Sequence, residues 1–504
     1  QRARELSAAI ETALVFFELE WNLIPDERAD ELLADDVLDF CRHHLRMLRR
    51  YRPHQLSEPE ERILTETTVT GASAFQRLFT EQTSVIEIDV PDSEEPVSLE
   101  EALSRLQQPD RQRRAEAAAG LTEALRQGLR TRGFVFNTLL QDKATKDRLR
   151  SYPHWLASRN LANEASDESV EALIEAVRSR YELARRWYRL KASLLRLDRL
   201  AHWDRMAPVS DSEEEIAYGE AREIVLDCYS GFSSELGDAA RVFFANGHID
   251  GPPRPGKRGG AFCSYTVPSA HPYVMLNYTS RPHDVLVMAH ELGHGVHASL
   301  ARRQGIFHFT TPLTLAETAS IFGETIVLER LLERAPGPAE RLDLLAGSLD
   351  GAVAAVFRQV AMNRFEHAAH SERRESGELS LERFAELWLE TQADLLGDSV
   401  ELSDDYGVWW SYIWHFVDAP GYVYAYAYGH LLALSVYRRY EERGDAFVPS
   451  YLDLLRAGGS RPPEELGAIV GVDLSDPGFW SSGLDLVERQ LDAAERAARD
   501  AGRI

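Results

Sequence analysis

The chain has 504 residues, 44% hydrophobic and 27% charged, which suits a globular protein too long for one simple core and expected to form two or more lobes. Its 56 basic residues face 81 acidic ones, a formal net charge of −25, which argues against a nucleic-acid partner and reads as an acidic, solvated surface. Cys41, Cys228 and Cys263 are odd in number and far apart, so neither a disulfide framework nor a cysteine zinc site is expected, and a reducing, cytoplasmic setting suits them.

The N-terminus, QRARELSAAIETALVFFELEW, has neither the elements of a signal peptide nor an initiating methionine, as in a fragment or a processed product. Residues 29–50, 99–133 (broken near Pro109) and 166–200 combine strong helix formers with apolar residues every three or four positions. Asp167 opens the third of these as its cap region. Residues 84–90 alternate like a short strand, and 90–96 and 151–153 read as loops. A further helix is expected over 213–236, ending near Gly237. Residues 251–263 are dense in Gly and Pro and therefore irregular. The next run, YTVPSAHPYVMLNYT, suits one or two short strands. After Pro282 the pattern is helical almost to the C-terminus, so the fold is mainly α with a small β element. Residues 419–437 carry no charge and approach the length of a membrane span. Their Pro420, Gly421, Gly429, His430 and five tyrosines mark a buried, polar-lined helix instead, and no membrane partner is expected.

Residues 290–294 read His-Glu-Leu-Gly-His. On a helix the two histidines stand four apart on one face and can reach one metal ion, while Glu291 lies close enough to act as a base on water. Pro282 suits the start of this helix and the run 302–305, with two arginines and a glycine, suits its end. Asp284 in the first turn complements the helix dipole. A catalytic zinc needs a third protein ligand. Glu317 and Glu324 follow on a helix expected from Pro312 onward, in an otherwise apolar run where a carboxylate needs a cation or hydrogen bonds. Seven residues put them about two turns apart, so one binds the ion and the other braces a histidine. His297, one turn past His294, is a second bracing candidate. Trp409, Trp410 and Trp414 read as core.

HELGHGVH, then LAETAS, after an upstream GKRGGAF, resembles the thimet oligopeptidase–oligoendopeptidase F family of zinc peptidases. The runs KDRLRSYPHWLASRNLANEASDESVEALIEAV, WYRLKASLLRLDRLAHWDRMAP and YRPHQLSEPEERIL are similar to the oligoendopeptidase F branch, so the resemblance covers most of the chain. It implies a two-lobed, zincin-type helical shell around a deep substrate channel, with one Zn2+ and Glu317 as third ligand, which leaves Glu324 to brace a histidine. Residues 1–200 would form a helical part of the channel wall and residues 201–504 the catalytic region. His415 and the tyrosine-rich run GYVYAYAYG resemble the family's His and Tyr segment, where phenols face the substrate carbonyl. A neutral phenol suits that role, since it donates a hydrogen bond to a developing oxyanion. Tyr426, then Tyr422, is the expected donor, and Gly421 and Tyr428 depart from the family pattern.

The expected activity is zinc-dependent endopeptidase cleavage of short peptides, with Glu291 moving the proton. The peptide is expected beside the strand over 273–277, with Tyr273, Met275, Tyr424 and Tyr428 as substrate contacts. Two alternatives share the motif. A helical zinc carboxypeptidase would need a cationic pocket for a free carboxylate, and an inert zinc-containing peptide-binding protein would have no need of Glu291.

Overall fold

Prolines, glycines and short polar side chains cut the helical patterns into more pieces than their periodicity suggests. In the computed structural model, which describes residues 2–91, 93–209, 215–254 and 256–504, the run 29–50 is two helices, Asp26–Leu33 and Arg42–Arg50. Between them lies a tight turn whose Asp35 side chain accepts from the Val37 amide. The run 99–133 becomes Leu99–Arg105, Arg111–Arg126 and Leu129–Leu149, with Asp110 capping the second and Gly128, at φ 71°, separating it from the third. The run 166–200 divides into Asp167–Ser179 and Tyr181–Leu194, and Ser166 rather than Asp167 is the N-cap. Of the helix expected over 213–236, Glu213 and Glu214 lie outside the described residues, as do Asp92 and Pro255 of the expected loops. The helix found there is Tyr218–Phe232.

The elements around the site are labelled in chain order. Helix α1 is Ala157–Ala162. Strands β1 (Ile249–Asp250), β2 (Phe262–Ser264) and β3 (Tyr273–Met275) form one small sheet in the order β1-β3-β2. Helix α2 is Pro282–Ala301, α3 Leu313–Ala316 and α4 Ser320–Arg334. Helices α5 (Pro338–Ala352) and α6 (Arg358–Ser376) are joined through a π-helical turn, Val353–Phe357. Helix α7 is Tyr424–Arg443. Two-residue strand pairs at 87–88 with 97–98 and 200–201 with 400–401 add little sheet, so the protein is mainly α.

Two apolar cores organise the chain. The larger draws on residues from Trp155 to Ala498 and includes the buried faces of α2, α4, α5 and α7. Helices on both sides of residue 200 contribute to it, so no break in packing falls there. The second, from Ile88 to Phe416, gathers Phe136, Phe365, Phe384, Trp388, Trp410 and Phe416. A cavity of about 1470 Å³ is bordered by Ser104, Gln107, Gln108 and Pro109 together with Tyr188, Ala346, Gly351 and Arg358.

Candidate metal centre

Helix α2 starts where Pro282 presets the backbone. The Asp284 carboxylate accepts from the Arg281 amide (3.1 Å), the Thr279 amide (2.7 Å) and the Thr279 hydroxyl (2.8 Å), so Asp284 ties down the helix start. The helix ends in the turn Arg302–Gln304 and Gly305, at φ 71°. Its apolar stripe, Val285, Ala289, Leu292 and Val296, is almost wholly buried. Gly293 lets α4 approach: a Cβ there would stand 2.5 Å from the Ala319 carbonyl oxygen and 2.6 Å from Ser320 Cα. The Tyr229 hydroxyl, donating to the Ala289 carbonyl at 2.6 Å, binds a third helix to the same stretch.

Close approach of α2 and α4 brings Glu317 to the histidines. Glu317 does not share a helix with Glu324, as the periodicity suggests. It follows α3 at φ −82°, ψ −1°, in the break before α4. Its Oε2 lies 3.3 Å from His290 Nε2 and 3.5 Å from His294 Nε2, and accepts from the Ser320 hydroxyl at 2.7 Å. Three donor atoms at the corners of a zinc tetrahedron with arms of about 2.0–2.1 Å stand roughly 3.3 Å apart. One oxygen and two imidazole nitrogens at 3.3 and 3.5 Å therefore fit one such ion. Among the described residues this is the one group of three or more such side chains able to hold a metal.

Glu324 reaches the other side of His290. Its Oε2 lies 3.1 Å from Nδ1, a contact that fixes the ring and in the neutral, metal-binding form would have Nδ1 donate to the carboxylate and turn the Nε2 lone pair toward the cluster. His294 is held by a hydrogen bond to the Ala316 backbone. His290 is desolvated, yet the carboxylates of Glu317 and Glu324 hold its pKa well above the ordinary value. Burial opposes ionisation of Glu317, but His290 and His294 hold its carboxyl well below the carboxylate range. Glu317 and Glu324 thus set two carboxylates against the imidazoles, a negative charge that a divalent cation at the cluster would balance.

Glu291 is 7% exposed, and burial pushes its pKa up to about 7, close to where a general base works best. Its carboxylate accepts a hydrogen bond from the Cys263 backbone, which places β2 beside it. This corrects the expected substrate strand. β3 is the middle strand, paired with β1 on one side and β2 on the other, so its edges are taken and β2 carries the free edge next to Glu291. Met275 is buried, whereas Tyr273 is half exposed with its ring edge against His248. Cys263 takes part through its backbone, while its thiol is pushed up to about 12 by burial and stays protonated.

The opposite wall starts before α7. Tyr422 precedes the helix, in the irregular stretch from Ala419, instead of sharing a helix face with Tyr426. The two rings nonetheless meet edge to face at 5.0 Å. His415 stacks on Tyr422 (5.8 Å, 11°), and its Nε2 lies 3.2 Å from the Tyr426 hydroxyl. Burial lowers His415 to about 4, leaving it neutral. The phenol of Tyr426 is pushed up by burial, by Tyr422 and by the Glu317 charge, so it keeps its proton. Tyr424 and Tyr428, expected as substrate contacts, point the other way. Both are wholly buried, the first accepting from Asn163 at 2.9 Å and the second packed on Trp480. His297 is buried with both ring nitrogens unpartnered among the described residues, so it braces neither metal-facing histidine. Trp414 is half exposed and stacks on His415 at 3.8 Å, outside the core.

Two features had no sequence signal. Tyr265, just after β2, lies 6.5 Å ring to ring from His294 and feels the charges of Glu317 and Glu291. The π-helical turn shapes a pocket of about 340 Å³ bordered by His290, Glu291 and Glu324, with walls from Val287, Ile321 and Leu328. This pocket shares His283 and Gly351 with the 1470 Å³ cavity, so the two are neighbours across those residues.

A helical fold that holds this donor set beside a buried carboxyl, at the wall of a pocket, has the features of a metallopeptidase. The profile described as Peptidase family M3 matches residues 104–486, and the one described as Oligopeptidase F matches residues 20–87. The chain belongs to peptidase family M3. It is 26% identical over 494 residues to Oligopeptidase PepF of Bacillus subtilis, covering 97% of this chain and 73% of that protein. It is equally 26% identical, over 496 residues, to Group B oligopeptidase PepB of Streptococcus agalactiae, covering 97% and 82%. The crystal structure of oligoendopeptidase-F from Enterococcus faecium shares the fold, with a TM-score of 0.79 at 23% identity over 99% of this chain and 86% of that one.

Proposed function

We propose that this chain hydrolyses internal bonds of short peptides with one zinc ion held by His290, His294 and Glu317. Bound by these three residues, a zinc ion would supply Lewis acidity toward a water and the scissile carbonyl. Glu291 takes the proton of the attacking water at its carboxylate and delivers it to the leaving amine, a task its pKa of about 7 suits. Tyr426, neutral and held by His415, donates its O–H to the oxygen that gains negative charge, with Tyr422 supporting its ring.

The reading of internal cleavage rests on one observation: the pocket beside Glu291 shares wall residues, His283 and Gly351, with a large cavity next to it. A carboxypeptidase would close that path with a cationic wall. Here Val287, Ile321, Leu328 and Leu434 line the near pocket and no arginine or lysine among the described residues does, whereas Arg205, Arg281 and Arg358 border the large cavity, which has the volume for several residues beyond the cut. Ser104 to Pro109 and Tyr188 border that cavity, which supports the region before residue 200 as part of the channel wall. A peptide adding to the free edge of β2 in the antiparallel sense would send its C-terminal portion past Ala261 into the pocket and on past His283. Relatives named oligopeptidase and oligoendopeptidase support short peptides as substrates.

A peptide-library digest by the protein and its Glu291→Gln variant, read by mass spectrometry with metal content measured on both, tests this. Internal cuts by the parent and a loss of about 1000-fold or more in the zinc-loaded variant are expected. Full activity in that variant, or release of single C-terminal residues only, would sink the reading.

A further inference from the structure

Helix α6 carries a carboxyl group with no place in the chemistry above. Glu366 is wholly buried, and its Oε1 accepts from the Gly421 amide at 2.8 Å. Its Oε2 has no partner among the described residues. Burying a carboxyl with one oxygen unsatisfied costs stability, so the group needs a reason to stand there.

The reason lies in what Glu366 grips. The Pro420 carbonyl, the other polar end of the same peptide unit, accepts from Arg159 Nε at 3.2 Å. One peptide plane is thus held at both ends, by α6 and by α1. Gly421 sits at φ 74°, and a Cβ on it would stand 2.5 Å from Leu156 Cδ1, so the chain can press against that wall only as glycine. α6 holds the wall as well: Trp155 Nε1 donates to His367 Nδ1 at 3.2 Å, and the indole stacks on His370 at 4.6 Å. The next residue is Tyr422, whose amide donates to the Ala419 carbonyl at 3.0 Å before α7 begins with Tyr426 in its first turn.

We infer that Glu366 is a positioning residue: by fixing the plane of the 420–421 peptide, it aims Tyr422 and Tyr426 across the cleft at the metal cluster. The inference rests on the role given to those tyrosines above. Burial pushes Glu366 up to about 8, so near neutral pH it is an uncharged acid, and glutamine is its close mimic. The orientation of a hydrogen-bond donor to a transition state matters at the ångström scale, where misplacement costs up to about 100-fold in rate.

The test uses the zinc-loaded full chain and one peptide substrate, with kcat and KM measured separately. Glu366→Gln keeps the acceptor and is expected within about threefold of the parent. Glu366→Leu removes it and is expected to lower kcat roughly 10- to 100-fold, with KM changed less than about threefold and metal content intact. Arg159→Met releases the other end of the same peptide from a half-buried position and is expected to lower kcat in the same direction, which keeps the test alive if the leucine variant does not fold. In a Tyr426→Phe background, Glu366→Leu is expected to add little, because both act through one group. Equal kcat in the Gln and Leu variants, a parental kcat for Arg159→Met, or fully multiplicative losses with Tyr426→Phe would each overturn the positioning role. A parental kcat for Tyr426→Phe alone would instead overturn the oxyanion reading on which this inference rests.

Discussion

At the residue scale the question is which glutamate binds the ion. Sequence spacing leaves Glu317 and Glu324 open, because both fall in one apolar run. Geometry separates them: Glu317 Oε2 faces both Nε2 atoms, while Glu324 Oε2 faces only Nδ1 of His290. Removing either should therefore cost different amounts. Glu317→Ala is expected to abolish stoichiometric zinc at micromolar protein. Glu324→Ala should retain the site with affinity weaker by about 10- to 100-fold, because His290 loses the acceptor that orients it. Competition with a chromogenic chelator measures both, and equal losses would contradict the assignment. The i, i+4 histidines and Glu291 were fully legible in five consecutive residues, since helix geometry alone brings them together. Glu366 was not, because it meets Gly421 across 55 residues and no periodicity reports a contact at that range.

At the element scale the site depends on how closely two helices pack. Gly293 lies between the two histidines of the candidate metal centre, and a methyl group there meets the backbone of Ala319 and Ser320. Backbone cannot swing aside as a side chain can, so α2 and α4 must separate. Glu317 lies just ahead of that contact. Gly293→Ala is accordingly expected to destabilise the protein by about 1–3 kcal/mol, as overpacking does, and to weaken zinc binding at the same time. Urea denaturation of the zinc-free protein and a zinc titration separate the two effects, and a variant with parental values for both would show that the helices tolerate the methyl. In this part of the chain helix existence was legible and helix limits were not. The apolar run after Pro312 looks continuous, but Glu317 and the residues up to Ala319 break it into α3 and α4, and that break turns the carboxylate toward the histidines. The small sheet shows the same limit, since β-branched and aromatic residues announce strands but not their order, and order decides which edge a peptide finds free.

At the scale of the whole molecule, the two cores hold histidines in places where only the neutral ring is tolerated. His202 is 4% exposed and pushed down to about 3 by burial and Arg205, with Asp204 opposing. His370, 1% exposed, is driven well below its ordinary value by burial, Lys143, Arg374 and His367. Burial likewise lowers His297 to about 3, and burial with His43 and His44 lowers His308 to about 4. In the unfolded chain each titrates near pH 6.5, so the unfolded state takes up protons first as the pH falls. Their contribution is complete above about pH 6.5 and is lost progressively toward pH 4, by about 1 kcal/mol per pH unit for each group. Glu366 and Glu291, raised by burial to about 8 and about 7, and His290, desolvated yet raised by its carboxylates, work the other way and favour folding as the pH falls. His294 and His415, both lowered to about 4, join the four, so the lowered rings remain the majority. The net charge of −25 also relaxes on acidification, yet surface repulsion is screened within about 8 Å at physiological salt, whereas the cost of charging a buried ring is not. Thermal or urea unfolding is therefore expected to show stability falling between pH 7 and pH 5, nearly independent of added salt, with a shallower slope for His202→Phe. A rise in stability over that interval, or a slope that disappears in 0.5 M salt, would mean that surface charge outweighs the buried rings.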